Sequence, residues 1–427
     1  MSDPTSVSRR NFLATGALSV AASTVGSTVA ADKTEAVTKP GKPLRVAAIN
    51  SIYRLRSHAY HICGRVIHGY TKDGFHHQPA LKLVRMYNDQ YPKDDLGRAY
   101  GKQFDVEVCD TVAAALGGPK SLDVDAVLLI IEHGDYPLNE LGQVLYPRYE
   151  LFQQIVDVFR ASGRSVPVFV DKHLSYDHRK AAEMVRTAHE MKFGLMAGSS
   201  LPVTWRIPER EPPLGTPFRE AVVTFGFDRG SVEIYLFHAL ESLQCMLERR
   251  KGGETGVKSV QTLRGNAVWE AAAAGRFSTR LMETSLKYSV SNNVGSVRDN
   301  VADPLAVLIE YHDGTKGAVI NLIEQTSEFA FAANLEGHAD PVAFGFYLPA
   351  PPAANFFNPL TWNIEQFFLT GQSPYPVERT LLTSTLCDLA MQSLHKESKV
   401  IESPAMHVQY QSVPNSGFFR GSPYNGI

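Results

Sequence analysis

The chain has 427 residues, a formal net charge of -2, 44% hydrophobic residues and 20% charged ones. That is the composition of a folded globular protein, too long for one core to organise and so expected to form two domains. Balanced charge without a polybasic run excludes nucleic acid and anionic membrane as partners. The separated Cys63, Cys109, Cys245 and Cys387 exclude a zinc ribbon or a disulfide scaffold and read as buried small hydrophobes.

In chain order, Ser8-Arg9-Arg10-Asn11-Phe12-Leu13 opens an apolar, small-residue stretch over 14–29. Twin arginines before such a stretch read as a twin-arginine export signal. The stretch is shorter than the ~20 residues a membrane-spanning helix needs. Residues 1–31 are therefore expected to be a signal peptide and 32–42 a flexible leader, with the mature chain periplasmic or otherwise exported. No later segment is long and apolar enough to span a bilayer. Export in the folded state points to a cofactor or metal loaded beforehand.

Leu44–Asn50, 83–87, 126–131 and 166–170 are short apolar runs of the kind that form buried parallel strands. Between them 147–162 reads as a helix, with Leu151, Ile155, Val158 and Phe159 at helical spacing. This alternation predicts a Rossmann-like, doubly wound parallel sheet over 43–195. Strand candidates then follow at 220–227, 257–263, 305–311 and 318–323 with few helices between them, and Asp313-Gly314 marks a hairpin turn. They predict an α+β domain over 196–400 with a mostly antiparallel open sheet. Helices are expected at 362–369 and 381–394, and 401–427 is a tail. Arg249-Arg250-Lys251 reads as a solvated turn.

The order of these segments resembles the Gfo/Idh/MocA family of glucose-fructose oxidoreductases and inositol dehydrogenases over most of the mature chain. Asp123-Val-Asp-Ala-Val-Leu-Leu-Ile130 resembles its fourth strand, and Val166-Pro-Val-Phe-Val-Asp-Lys-His-Leu174 the strand ending in Glu-Lys-Pro. Residues 180–196 resemble the helix after that strand, and 362–393 the family's Phe-x-x-x-x-x-x-Gly-x-x-Pro segment. The resemblance implies an oxidoreductase acting on a sugar or sugar derivative with tightly held NAD or NADP. It also implies a homo-oligomer.

The family's Gly-x-Gly-x-x-Gly turn is replaced by Asn50-Ser51-Ile52-Tyr53-Arg54-Leu55-Arg56-Ser57, which has no glycine to let the backbone approach a pyrophosphate. Asn50, Ser51, Arg54 and Arg56 are candidate replacements for the missing amides, arginine being shaped for bidentate phosphate contact. A solvated loop explains those arginines equally well. Asp89 is the candidate ribose acceptor, although it lies roughly forty residues past the first strand, about twice the usual gap. Glu132 and His133, at the end of another strand, complete the cofactor side.

By resemblance, Lys172 takes the place of the Glu-Lys-Pro lysine near nicotinamide and substrate hydroxyl. At a buried strand end it is desolvated, which suits it to proton transfer. His238 resembles the substrate-domain histidine that accepts the hydroxyl proton, with Glu241 one turn on to orient it. His173, Trp205 and Arg206 are candidate substrate contacts. His58, His61, His68, His76 and His77 crowd into twenty residues. His58 and His61, with Glu132 or Asp135, offer a divalent-metal site for lyase or hydrolase chemistry as an alternative, but no metal signature is present. A non-catalytic carbohydrate-binding protein is the other alternative.

Overall fold

Strand β1 (Leu44–Asn50) lies between two parallel neighbours and alternates Val46 and Ala48 onto one face with Ala47 and Ile49 onto the other. In this computed structural model residues 41–227, 231–349 and 351–424 are described. The export signal and nearly all of the leader fall outside the described residues. After β1 come α1 (His58–His68), β2 (Tyr70–Lys72), β3 (Phe75–His77), β4 (Leu81–Asn88), α2 (Gly97–Phe104), β5 (Glu107–Cys109) and α3 (Val112–Leu116). There follow β6 (Ala126–Ile130), α4 (Arg148–Ser162), β7 (Val168–Asp171), α5 (His178–Glu190) and β8 (Leu195–Gly198).

Six of these strands form one sheet in the order β5-β4-β1-β6-β7-β8, with every pair parallel. The order reverses at β1, which is where doubly wound sheets open a crevice beyond the strand ends. One face is covered by α3, α4 and α5, the other by α1 and by residues 357–368 from far along the chain. The register sets the ends level, pairing Asn50 with Asn88 and with Ile130, and Asp171 with Gly198. Residues just past these positions therefore crowd one edge.

The second half adds β9 (Arg206–Ile207), β10 (Phe218–Phe225), α6 (Val232–Leu247), β11 (Val257–Arg264), α7 (Asn266–Ala273), α8 (Thr279–Leu286) and α9 (Val297–Asn300). It continues with β12 (Leu305–Tyr311), β13 (Lys316–Asn321), β14 (Phe329–Leu335), β15 (Val342–Phe346), α10 (Phe357–Thr370) and α11 (Val377–His395). Its seven strands run β11-β12-β13-β10-β14-β15-β9 and are antiparallel except for the parallel pair β10–β13. Asp313-Gly314 turns the β12–β13 hairpin, with Gly314 at a φ of 84°.

Helices are more numerous here than the sequence suggests. α6 and α11 pack on one face of the sheet, while Val268, Phe277 and Leu281 cover the other. Arg249 and Arg250, expected on a solvated turn, are buried. Arg249 donates to the carbonyls of Pro212, Val413 and Pro414, and Arg250 grips Glu254 at 2.8 Å and Asp313 at 2.6 Å. Such charges stay inside only when fully partnered. Among the described residues no helix is long and apolar enough to cross a membrane.

Candidate active site at the ends of the parallel strands

Lys172 follows the last residue of β7 with φ at 66°, the left-handed region a lysine enters only when its surroundings demand it. Its backbone N–H donates to Gly198 O at 3.1 Å. Its Nζ lies 2.8 Å from Glu132 Oε1, and Arg148 Nη2 lies 2.7 Å from Glu132 Oε2. Burial opposes ionisation of Glu132, but Lys172 and then Arg148 outweigh it and hold the carboxyl well below the usual range. Lys172 is thus salt-bridged rather than a lone desolvated amine.

His238 projects from α6 to the same place. Its Nδ1 lies 2.9 Å from Ser199 Oγ, which donates to Glu241 Oε2 at 2.5 Å. Burial, then Lys172 and His58, push the imidazole well below its usual value. Burial pushes Glu241 up to about 7, against hydrogen bonds from Ser199. His58 Nδ1 is 2.7 Å from Asp171 Oδ2, and its ring meets that of His133 at 5.4 Å. The structure thereby brings Lys172, His238, Glu241, Glu132, His133 and His58 to one crevice.

On the cofactor side, Asn50 and Ser51 are wholly buried. Asn50 Nδ2 donates to Asn88 Oδ1 at 3.0 Å, and Ser51 Oγ to the Glu132 carbonyl at 2.7 Å. Ile52 and Tyr53 continue buried, Leu55 and Arg56 are exposed, and Ser57 caps α1 by accepting from Tyr60 N–H. Arg54 is half-buried with one long pairing to Asp94 at 3.4 Å, and Arg56 is exposed at φ 65°. Burial lowers His133 to about 4 and His61 to about 3, with nearby cations adding to the shift in each case. Asp89 accepts from Tyr87 OH at 2.9 Å and Tyr136 OH at 2.8 Å. Gln90 and the Asp135 backbone exchange two further bonds.

No family model and no curated protein match the chain. Solved structures do. GenD2 from gentamicin A biosynthesis, in complex with NAD, is 15% identical at a TM-score of 0.55, covering 86% of this chain and 98% of that one. Myo-inositol 2-dehydrogenase from Lactobacillus plantarum is 12% identical at 0.52, covering 84% and 99%. Myo-inositol dehydrogenase from Lactobacillus casei, in complex with NAD(H) and myo-inositol, is 11% identical at 0.52, covering 90% and 99%. This chain has the Gfo/Idh/MocA fold.

Within that fold, the buried polar atoms without a partner among the described residues include Asn50 Oδ1, His133 Nδ1 and Asp171 Oδ1, beside others such as His173 Nδ1, Glu233 Oε2, and Arg148 Nε and Nη1. The first three stand at or just past the ends of β1, β6 and β7, inside the protein. Each Asp89 oxygen has a lone pair beyond its tyrosine bond and so keeps capacity for a ribose hydroxyl. A dinucleotide at this edge would meet the side chains of Asp89, Arg54 and Arg56, since the turn over 50–57 has no glycine.

Other candidates go elsewhere. Trp205 packs edge-on against Tyr347 and Phe419, and buried Arg206 lies over the Phe418 ring at 4.0 Å while donating to the Arg210 and Pro202 carbonyls. None of these is a crevice residue, so both serve packing. His173 is buried against Glu233 at 2.7 Å. His61 stacks on Phe357 at 4.8 Å, so His58 and His61 do not gather with Glu132 or Asp135 as metal ligands. Among the described residues the one grouping at ligand spacing is Asp177, His178 and Asp388, where Asp177 is already engaged by Arg179.

Sequence reasoning missed Arg148 and Ser199. Arg148 had a signal, since it stands three residues before Leu151 and seven before Ile155, on the buried stripe of α4. Ser199 had none.

Proposed function

We propose that this chain is an exported oxidoreductase that oxidises or reduces a hydroxyl-bearing carbon of a sugar or sugar derivative, with a nicotinamide dinucleotide held in the crevice. The observation that carries this reading is the meeting of Lys172, at the end of β7 on its Glu132–Arg148 support, with His238, on α6 with its Ser199–Glu241 support. The named relatives of the same fold include NAD complexes, one of them also holding myo-inositol. That favours a polyhydroxylated ring as substrate. Arg9-Arg10 and the apolar run after them support export.

Asn50, His133 and Asp171 would meet the nicotinamide end, Arg54 and Arg56 the phosphates, and Asp89 the ribose. When bound, a nicotinamide accepts or returns the hydride. The chain's own work is the proton and the charge: Lys172 donates hydrogen bonds to the substrate oxygen and stabilises negative charge as it develops there, and His238 takes the hydroxyl proton. The burial of Glu132, Asp171 and Glu241 keeps water from that exchange.

The test is native purification of the mature chain, followed by absorbance and mass spectrometry of released small molecules and titration with NAD(H) and NADP(H). The expected result is a dinucleotide carried or taken up saturably. A chain that carries none and takes up none removes the reading and leaves the carbohydrate-binding alternative.

A further inference from the structure

We propose that Ser199 and Glu241 form a proton relay behind His238: a proton accepted at His238 Nε2 is passed from Nδ1 through Ser199 Oγ to Glu241 Oε2. The relay deepens the oxidoreductase reading above and rests on it for its substrate.

The hydrogen bonds leave one consistent arrangement for each end state. With Glu241 ionised, Ser199 donates its only proton to Oε2 at 2.5 Å. The Ser199 oxygen then accepts from His238, so Nδ1 carries the imidazole proton across the 2.9 Å contact. Nε2 is left with a lone pair and has no partner among the described residues. Glu241 cannot swing away, because the Ser199 backbone N–H donates to Oε1 at 3.0 Å. Gly198, at φ 136°, lets Glu241 approach the backbone here: a Cβ there would lie 2.8 Å from Glu241 Oε1 and 2.9 Å from Tyr375 OH. The Leu201 N–H holds the Ser199 hydroxyl from the other side at 3.4 Å.

Transfer balances without charging the histidine. The substrate O–H breaks and leaves its electron pair on oxygen, while Nε2–H forms. Nδ1–H breaks as a new Ser199 O–H forms, and the original Ser199 O–H breaks as Glu241 gains its proton. One negative charge moves from Glu241 to the substrate oxygen, beside the Lys172 ammonium. The carbon's hydride leaves separately to the nicotinamide.

The surroundings explain why a bare histidine would not suffice. His238 faces Lys172 and His173 at the end of β7, His58 on α1 and Glu132 past β6, and burial with the cations disfavours imidazolium. Glu241 faces Arg379 from α11, Asp171 from β7 and Ser199 past β8, and its ordinary range is raised by burial to about 7. The carboxylate, not the imidazole, is the group that can hold or release a proton near neutrality. Ser199 and Glu241 are positioning residues that act through His238.

The experiment is NMR of ring-nitrogen-labelled histidine in the full mature chain, with pH-rate profiles beside it. His238 is expected to carry its proton on Nδ1 at alkaline pH and on Nε2 at acidic pH, switching as Glu241 titrates near 7. Ser199→Ala and Glu241→Gln abolish the switch, and Ser199→Thr, which keeps the hydroxyl, restores it. In turnover, Ser199→Ala lowers kcat by at least ~10-fold with KM little changed and displaces the limb of the pH profile, and Ser199→Thr recovers both. A switch that survives Ser199→Ala, or a wild-type tautomer that never changes, overturns the relay. A switch present in a protein with no dehydrogenase activity supports the relay and defeats the oxidoreductase reading. An active enzyme without the switch does the reverse.

Discussion

Glu132 holds two buried cations at once, and the consequence of removing it follows from counting charge. With Arg148 fully buried and Glu132 and Lys172 nearly so, the trio carries one net positive charge. Glu132→Gln leaves two cations facing each other without an anion, and breaking a buried pair typically costs about 3–5 kcal/mol, so about 4 kcal/mol is expected. Arg148→Met instead leaves the neutral Glu132–Lys172 pair and also removes two unpartnered donors, Arg148 Nε and Nη1. Its cost should be about 1 kcal/mol, near the centre of ordinary substitutions. The double variant keeps only Lys172 and should cost about 3 kcal/mol, less than the sum of the singles by roughly 2 kcal/mol of coupling. Denaturant unfolding, comparing midpoints at unchanged slope, measures all three. A Glu132→Gln variant within about 1 kcal/mol of wild type, or strictly additive singles, refutes the account. Because folding depresses the Glu132 pKa, its stabilisation is present above its ordinary 4.5 and is lost as pH falls through the lower folded value. Glu132→Gln should flatten that acid limb.

Glu241 has the opposite sign. Its raised pKa means stability is full below its ordinary 4.5 and declines as pH rises to about 7, so Glu241→Gln should gain on wild type in alkaline buffer and show a flatter stability profile between those values. Gly198→Ala forces a Cβ onto Glu241 and Tyr375 at positive φ and should cost roughly 1–3 kcal/mol in denaturant unfolding, more than Ala's lower unfolded-chain entropy offsets. Arg54→Met with Arg56→Met should leave the unfolding midpoint within about 0.5 kcal/mol, since neither is buried. The same pair should weaken dinucleotide binding roughly 10- to 100-fold by calorimetry and flatten its salt dependence. Unchanged affinity would mean that the arginines only solvate the loop.

The parallel sheet was legible because its strands are continuous apolar runs. Leu44–Asn50 and Leu305–Tyr311 are found at the bounds their sequence suggests, and α4 starts at Arg148 against an expected 147. What the sequence obscured was partnership. Arg249 and Arg250 look like a surface pair, and only the tail carbonyls of Val413 and Pro414, with Glu254 and Asp313, make burial possible. α6 escapes the amphipathic pattern because it is buried nearly all round, from Leu236 to Leu247. In the crevice, Lys172, His238 and Glu241 were singled out by resemblance, whereas Ser199 between them carries no pattern at all. Trp205 and Arg206 misled for the opposite reason: their residue types suit sugars, but their positions seal a packing cluster.

Hydride transfer at the Lys172–His238 crevice is tested most directly by incubating the natively purified chain with sugars and polyols deuterated at their carbinol carbons, then weighing the nicotinamide by mass spectrometry. Wild type should place one deuteron on the nicotinamide, and Lys172→Met should slow that transfer roughly 10²- to 10⁴-fold. A nicotinamide that stays unlabelled with every substrate, or a Lys172→Met protein that labels it at the wild-type rate, contradicts the assignment.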